Sequence, residues 1–351
     1  MRLPTAASAK FWHGTSLARK ILWQALNGVE TPRLLLTDID GTFIDKQAER
    51  GESQAVRRLT QYLAQKSYGL VAITGRDLPM MVRDHKKGIL PLFDVVITSV
   101  GTERYILRSG AYTKDARYER YLAETIGFDR GLILSHCQRF LTLVNGTLAP
   151  RHSFLKHVSL RLQPRDRSDA TRKGVKSPQP FKISFNFYGD KKVSAFLYET
   201  FRALLDQAGL ENIRLVFSVE PRASRMIKNN IDVVPLEKSG AATMLIEEVQ
   251  AAFGDIFSVY AGDSMNDYDA IQSVGDAAVV VGNADPELIA QLGLSRSFVP
   301  VRHIGRKRVP RYIYVGPTTI ERGPVSLLSG VRSLEVLLAS QTATAMAPDL
   351  L

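Results

Sequence analysis

Cysteine and long apolar runs are scarce in this sequence of 351 residues. The single cysteine, Cys137, excludes an intramolecular disulfide and any metal site built from several cysteines, and it suits a reducing compartment such as the cytoplasm. No apolar run reaches ~18 residues, so we predict no membrane span. With 45% hydrophobic and 23% charged residues, the composition is that of a globular protein with room for two structural units.

Acidic residues are outnumbered by basic ones, and the formal net charge is +11 with an isoelectric point near 9.7. Such an excess suits nucleic acid, an anionic membrane surface or small anionic substrates. Zinc-finger spacing and aromatic RNA-binding motifs are both missing, so we expect no nucleic acid as partner. We expect no membrane partner either, since no apolar run is long enough to span one. Small phosphorylated metabolites and a merely solvated basic surface are the two interpretations left open.

Acidic residues are also absent before Glu30, within an N-terminal extension that we place at residues 1–32. Apolar spacing predicts a helix over 16–26. We expect this helix to dock on the body of the protein, although acid-poor, basic, amphipathic segments are also typical of organellar targeting sequences. The face expected to be buried consists of Leu17, Ile21, Leu22 and Ala25.

Short apolar strands alternate with helices over residues 33–102 and again over 231–351. This alternation predicts an α/β core domain with a Rossmann-like, doubly wound parallel sheet covered on both faces. The strands are predicted at Arg33–Thr37, Gly69–Ile73, Asp94–Thr98, Ile256–Ala261 and Ala277–Val281, and the helices at Ser53–Gln65, Asp77–Asp84, Ser239–Phe253 and Asn266–Ser273.

Residues 103–230 lack this regular alternation and predict an inserted α+β domain. Within it, 163–180 is polar, basic and bounded by prolines, which predicts a flexible loop. The predicted elements are strands at Val158–Leu162, Lys182–Tyr188 and Ile213–Val219 and a helix at Lys191–Ala208.

Two carboxylates, Asp38 and Asp40, follow the first predicted strand. Residues two apart on extended chain share a face, and carboxylates this close repel unless a cation or a shared proton lies between them. Mg²⁺ is the cation that oxygen ligands of this kind favour. Gly41 lets the backbone turn closely around a ligand, while an ordinary Asp-Gly turn is the structural alternative.

Groups that can hold a phosphate follow other predicted elements. Thr74 and Gly75 supply a hydroxyl and a backbone N–H at a strand end, and Arg76 adds positive charge unless it is solvated. Lys238 precedes a helix, where a cation opposes the helix dipole. A nucleophilic carboxylate and a bound phosphate would explain that position, and an exposed lysine is the alternative.

Three oxygen ligands, Asp263, Asn266 and Asp267, lie within five residues where a predicted strand gives way to a helix. Acidic side chains near a helix start also suit the dipole. We therefore predict a metal site that these residues form together with Asp38 and Asp40.

The four segments resemble, in order, the motifs of the haloacid dehalogenase superfamily of phosphohydrolases, with DIDGT at 38–42 and GDSMND at 262–267 as the most specific pair. The resemblance implies that Asp38 attacks phosphorus to give an aspartyl phosphate. It implies that Asp40 acts as general acid and then as general base.

The resemblance also assigns the phosphoryl-holding and metal-binding roles. It implies that Thr74 and Lys238 hold the phosphoryl group. It implies that Asp263 completes a Mg²⁺ site with Asn266 or Asp267.

Further segments resemble the sucrose-phosphate phosphatase branch, whose substrates are sugar phosphates, and its Cof-type relatives. In this superfamily the larger α+β caps occur where the insertion lies, so Lys182 and Arg130 become candidate substrate-binding residues. The segments are 94–105, 127–130, 181–187 and 280–287.

The leading hypothesis is a Mg²⁺-dependent phosphatase that acts on a small phosphorylated sugar or glycosyl metabolite. A phosphotransferase or mutase on the same scaffold is the second interpretation. The third is a non-enzymatic basic binding protein, since a fold alone does not fix function.

Overall fold

Contacts between residues divide the chain into two units, Met1–Lys114 with Lys238–Leu351, and Asp115–Glu237. The computed structural model describes residues 10–29, 31–45, 54–156, 158–163, 179–220, 228–294, 301–306, 309–317 and 322–345. The predicted loop at 163–180 falls almost entirely outside the described residues, and residues 1–9 of the predicted N-terminal extension lie outside them completely.

A nine-stranded sheet forms the first unit, in the order β12-β13-β11-β10-β1-β2-β3-β4-β5. Strands β13, β11, β10, β1, β2 and β3 are parallel, and β12, β4 and β5 add antiparallel edges. The strands are β1 (Arg33–Thr37), β2 (Gly69–Ile73), β3 (Val95–Thr98), β4 (Glu103–Arg108), β5 (Ala111–Lys114), β10 (Phe257–Gly262), β11 (Ala277–Val280), β12 (Val301–Arg306) and β13 (Val309–Val315).

The predicted doubly wound sheet is confirmed, because β1, β2, β3, β10 and β11 are apolar and buried nearly throughout. Strands buried on both faces need helices on both sides. The edges were not predicted: β4 and β5 form a hairpin that continues the core sheet up to Lys114.

The five predicted helices of the first unit agree with the sequence pattern to within a few residues, whereas the helices at Pro286–Gln291 and Gly323–Ala345 were not predicted. Helix α3 begins where the Asp77 carboxylate accepts a hydrogen bond from the Met80 N–H at 2.9 Å, an N-cap. The helices are α1 (Ser16–Leu26), α2 (Gln54–Gln65), α3 (Leu78–Lys86), α7 (Lys238–Phe253), α8 (Tyr268–Ser273), α9 (Pro286–Gln291) and α10 (Gly323–Ala345).

Helix α1 docks as predicted, but on a different face. Leu22 and Ala25 are exposed, whereas Ala18 and Gln24 are buried beside Leu17 and Ile21. The Gln24 amide explains the rotation, because it donates to the Ser67 carbonyl at 2.9 Å and accepts from the Arg33 N–H at 2.9 Å. These two hydrogen bonds to the backbone bury Gln24 in place of the apolar Leu22 and Ala25.

The second unit contains a four-stranded antiparallel sheet in the order β6-β7-β9-β8. The predicted strand at Val158–Leu162 is reduced to its last two residues. The predicted helix at Lys191–Ala208 ends one residue earlier, and the six helical segments between Ala116 and Leu155 were not predicted. The elements are α4 (Ala116–Arg120), a π-helix (Tyr121–Thr125), α5 (Arg130–Thr142), a π-helix (Leu143–Leu148), a helical turn (Ala149–Arg151), a 3-10 helix (Ser153–Leu155), β6 (Arg161–Leu162), β7 (Ile183–Tyr188), α6 (Lys191–Gln207), β8 (Arg214–Glu220) and β9 (Lys228–Val234).

Aromatic side chains form the core of this unit. Phe140 of α5 stacks on Phe201 of α6 with ring centroids 4.2 Å apart, and Phe185 of β7 meets Phe201 edge-on. The helices therefore cover one face of the sheet, where Ile183, Phe185 and Phe187 point. None of the described helices is long and apolar enough to cross a membrane.

Candidate active site

The candidate residues of the first unit meet where the winding of its sheet reverses. Strand β1 is paired with β2 on one side and with β10 on the other, and both pairs are parallel. Thr37 lies opposite Ala261, so Asp38 and Asp263 leave neighbouring strands almost level with each other. The carboxyl ends of strands at such a switch point are where open parallel sheets bind ligands.

Lys238, the first residue of α7, connects the segments. Its ammonium lies 2.7 Å from a carboxylate oxygen of Asp38 and 2.8 Å from one of Asp267. All three side chains are buried, with at most 9% exposed. The prediction that a neighbouring carboxylate explains this lysine at a helix start is supported by these contacts.

Asp267 is surrounded by donors on both oxygens. Oδ1 accepts from Lys238 and from the Tyr260 hydroxyl at 2.9 Å. Oδ2 accepts from the Ser264 hydroxyl at 3.0 Å and from the backbone N–H groups of Ser264 and Asp263. A Cβ on Gly262 would lie 2.5 Å from the Asp267 Cβ, so glycine is required for this close approach.

Asp263 completes an acidic trio with Asp38 and Asp267, whose ligand atoms lie within 4.8 Å of one another. Thr42 donates to the Asp263 carboxylate at 3.3 Å. Within the described part of the chain, this is the one cluster of histidine, cysteine or acidic side chains that could hold a metal ion. It is fully buried.

Among the residues that the structure describes, this cluster holds three carboxylates and one contacting ammonium, a deficit of positive charge. Burial, together with the charges of Asp267 and Asp263, raises the pKa of the Asp38 carboxyl to about 8 against the opposing effect of Lys238. Burial alone would lower the pKa of Lys238, but Asp267 and Asp38 raise it. The pKa of Asp267 is lowered because Lys238 and hydrogen bonds from Tyr260 and Ser264 outweigh burial.

This deficit fits a divalent cation. Mg²⁺ takes carboxylate oxygens as ligands, and it would keep Asp38 ionised at neutral pH. The residues that could hold it are Asp38, Asp263 and Asp267, although both Asp267 oxygens also accept from protein donors.

The Asp40 carboxylate does not join the trio. It accepts a two-pronged hydrogen bond from the Arg76 guanidinium, with Nε to Oδ2 at 2.8 Å and Nη2 to Oδ1 at 2.5 Å. Asp38 and Asp40 therefore have different partners: the Asp38 carboxylate pairs with Lys238, and the Asp40 carboxylate pairs with Arg76. Asp40 as a side-chain metal ligand, and Asn266 likewise, stay predictions.

Thr74 and Gly75 lie on the loop after β2, beside the end of β1. The Thr74 hydroxyl oxygen accepts from the Arg76 N–H at 3.2 Å, which leaves its own proton for donation to a ligand. Two further bonds hold this loop, from the Ser99 N–H to the Arg76 carbonyl and from the Val100 N–H to the Thr74 carbonyl, both 3.0 Å.

Gly41 turns with a positive φ of 91°, a conformation that glycine adopts without strain. Its carbonyl accepts from the Asn283 side-chain amide at 2.7 Å, and the Asn283 carbonyl oxygen accepts from the Gly323 N–H at 2.6 Å. Asn283 therefore fixes the turn after Asp40 to the start of α10.

Lys182 and Arg130 belong to the second unit. Lys182 is 7% exposed and pairs with Asp232 at 2.8 Å, and the Asp232 carboxylate also accepts from Ser184 at 2.6 Å. Arg130 donates to the Gln179 carbonyl at 3.0 Å. The role of both as substrate-binding residues stays a prediction.

Sequence reasoning missed Tyr260, Thr42, Asn283 and Asp84. Thr42 lies within the DIDGT segment and Asn283 within 280–287, both of which were singled out, so a signal was available. Tyr260 and Asp84 sit inside a strand and a helix with nothing in the pattern to mark them.

Comparison with known proteins gives one family and a common fold. The sequence model of the sucrose-6F-phosphate phosphohydrolase family matches residues 31–154 and 165–297. Comparison with the sequences of curated proteins gives no match.

Two solved structures are similar over most of the chain. The sucrose-phosphatase from Synechocystis sp. PCC6803, in complex with sucrose and phosphate, is 20% identical, with a TM-score of 0.56, 87% of this chain covered and 98% of that one. The haloacid dehalogenase-like hydrolase yhjK from Bacillus subtilis is 15% identical, with a TM-score of 0.50, covering 90% and 99%.

The likeness to these structures shows the fold, and the family match spans most of the chain. The resemblance to haloacid dehalogenase phosphohydrolases of the sucrose-phosphate phosphatase branch is thereby confirmed. The chain belongs to the sucrose-6F-phosphate phosphohydrolase family and is a phosphoric monoester hydrolase.

Proposed function

We propose that the protein hydrolyses a small phosphorylated sugar in a Mg²⁺-dependent reaction with Asp38 as nucleophile. The observation that carries the proposal is the buried trio of Asp38, Asp263 and Asp267, which could hold a metal ion and which, among the described residues, has one contacting ammonium, that of Lys238. The family match supports phosphate ester hydrolysis as the chemistry.

In the first half-reaction an Asp38 carboxylate oxygen attacks phosphorus and the bond from phosphorus to the sugar oxygen breaks. The Asp40 carboxyl gives its proton to the departing oxygen, which leaves as a neutral hydroxyl. In the second half-reaction Asp40 takes a proton from water as the water oxygen attacks phosphorus. The bond between phosphorus and the Asp38 oxygen breaks, which regenerates Asp38 and releases inorganic phosphate.

Lys238 and Thr74 position the transferred group. An ammonium has three donors, and two point at Asp38 and Asp267, so the third serves a phosphoryl oxygen. The Thr74 hydroxyl serves another. A bound Mg²⁺ would supply the remaining charge neutralisation, which is the main contribution of metals to phosphoryl transfer.

Within the second unit, polar side chains cluster on one face of the sheet. Ser184 on β7 shares a face with Asn230 and Asp232 on β9, and Lys182 immediately precedes β7 and pairs with Asp232. The Asn230 Oδ1 is buried without a hydrogen-bond partner in the part of the chain that the structure describes. A buried acceptor of this kind suits a sugar hydroxyl.

The test is Asp38→Asn against sucrose 6-phosphate and other sugar phosphates, with and without Mg²⁺. Asparagine is nearly isosteric but is not a nucleophile, so phosphate release should fall by at least about a thousandfold. Asp94→Asn is the matched control, because Asp94 is equally buried and pairs with Lys20 in the same unit. Wild-type turnover by Asp38→Asn would refute the assignment.

Hydrolysis and phosphotransfer are separated by the fate of the phosphoryl group. Free sugars added as acceptors should leave the yield of inorganic phosphate unchanged if water is the acceptor. Formation of a new sugar phosphate at the expense of inorganic phosphate would favour the phosphotransferase alternative.

A further inference from the structure

Arg76 contacts two carboxylates on opposite sides of its guanidinium group. Nε and Nη2 hold both oxygens of Asp40, and Nη1 donates to Asp84, a residue of α3. The forked contact fixes the plane of the Asp40 carboxylate, since a guanidinium and a carboxylate match only in one relative orientation.

Asp84 is the buried end of this chain of contacts. Its side chain is 8% exposed, that of Arg76 is 14% exposed, and that of Asp40 is 42% exposed. A carboxylate is seldom buried to this extent without a partner, and here Arg76 and, at 3.1 Å, Arg83 supply the charge. The exposed carboxylate of Asp40 is thus tied through Arg76 to a group held inside the protein.

The backbone of Arg76 is fixed independently of its side chain. The Ser99 N–H donates to the Arg76 carbonyl and the Val100 N–H donates to the Thr74 carbonyl. Ser99 and Val100 have positive φ angles of 56° and 67°. A β-branched residue at positive φ is strained, and strain of this kind persists only where the surroundings impose it. Backbone and guanidinium are therefore both anchored.

We propose that Asp84 is a positioning residue, which acts through Arg76 to hold the Asp40 carboxyl in the orientation needed for proton transfer to the departing sugar oxygen. This inference rests on the proposed function. Arg76 accordingly acts on Asp40 rather than as a direct ligand of the substrate, the role suggested by sequence.

The reasoning predicts which substrates depend on Asp84. A sugar alkoxide is a poor leaving group and needs a proton as it departs, whereas 4-nitrophenolate leaves without one. Disordering Asp40 should therefore slow transfer from sugar phosphates and spare transfer from 4-nitrophenyl phosphate. A general effect on folding or phosphate binding would slow both substrates equally.

The experiment measures the first turnover by rapid quench with Mg²⁺ present, so that the later hydrolysis of the aspartyl phosphate does not enter. Release of sugar from the best substrate of the panel should fall about tenfold in Asp84→Asn, and release of 4-nitrophenol less than about twofold. In an Arg76→Met background, Asp84→Asn should cause no further loss, because Arg76 transmits the effect.

Two controls make the outcome decisive. Asp94→Asn removes another buried carboxylate from an ion pair and should lower neither rate. Should Asp84→Asn not fold, Arg76→Lys keeps the positive charge but loses the fork, and it must show the same selective loss.

Equal losses on both substrates, or additive losses in the Arg76→Met background, would overturn the inference while Asp38→Asn stayed inactive. An active Asp38→Asn would instead refute the proposed function itself.

Discussion

Replacement of Asp38 by asparagine should stabilise the metal-free protein at alkaline pH. The Asp38 carboxyl has a folded-state pKa of about 8 against an ordinary value of 3.8, because burial and the neighbouring Asp267 and Asp263 disfavour its charge. A group with a raised folded pKa contributes stability below its unfolded pKa, and this contribution is lost as pH rises through the folded pKa. Asparagine carries no such dependence.

The magnitude follows from the interval between the two pKa values. Below pH ~4 the wild type and Asp38→Asn are both neutral at this position and should unfold with similar free energies. Between pH ~4 and ~8 the wild type loses stability relative to the variant, and the difference should level off at several kcal/mol, on the order of 5, above pH ~8. Lys238 keeps Asp267 as its charged partner in the variant.

The assay is urea denaturation at pH 4, 6, 7 and 8.5 in the presence of EDTA, repeated with Mg²⁺. Excess Mg²⁺ should stabilise the wild type by about 3 kcal/mol at a hundred times its Kd and stabilise Asp38→Asn much less, since a ligand is missing. The difference between their free energies of unfolding at pH 8.5 should therefore shrink or change sign when Mg²⁺ is added.

The control is again Asp94→Asn, which should lose stability at pH 8.5, because it removes the charged partner of Lys20. If Asp38→Asn were no more stable than the wild type at pH 8.5 without metal, the cluster would not be short of positive charge. The argument for a cation at this site would then fail.

Three further substitutions test the same cluster and its support. Lys238→Met leaves buried carboxylates without their ammonium and should cost about 3–5 kcal/mol at pH 7 in urea denaturation, and less at pH 4. Gly262→Ala should lower the free energy of unfolding by about 1–3 kcal/mol and abolish most of the activity, because the new Cβ would displace Asp267. Gly146→Ala is the control and should change stability little, since a Cβ there would have no atom within 4 Å. Asn283→Ala removes the hydrogen-bond partners of the Gly41 carbonyl and the Gly323 N–H. It should lower the free energy of unfolding by about 1–2 kcal/mol and lower kcat for the sugar phosphate. An unchanged kcat would show that the turn at Gly41 needs no support from Asn283.

The core sheet was predictable because strands buried on both faces consist mainly of consecutive apolar residues, which are easily recognised in the sequence. Gly69–Ile73 has no polar side chain and Arg33–Thr37 contains three consecutive leucines, and the structure begins and ends both strands where they were predicted. Parallel strands put their carboxyl ends on one edge, so the convergence of Asp38 with Asp263 also followed from the order of elements.

Helix phase and edge strands were less predictable, since they depend on partners far along the chain. The exposed side of α1 was misplaced because Gln24 bonds to Ser67 and Arg33. No periodicity in residues 16–26 contains that information. The hairpin of β4 and β5 likewise depends on the partner that β3 offers to β4.

Pairing within the site was the least predictable feature, because it is decided by side-chain rotamers. Asp38 and Asp40 are identical in type and two residues apart, yet one meets Lys238, 200 positions later, and the other meets Arg76. This division gives the two carboxylates different environments. Asp38 is buried among acidic neighbours that call for a cation, whereas Asp40 is half-exposed on a guanidinium that is itself anchored at Asp84. Two carboxyl groups in different surroundings can serve as nucleophile and as acid–base group, so the pairing carries the chemistry that the spacing alone left open.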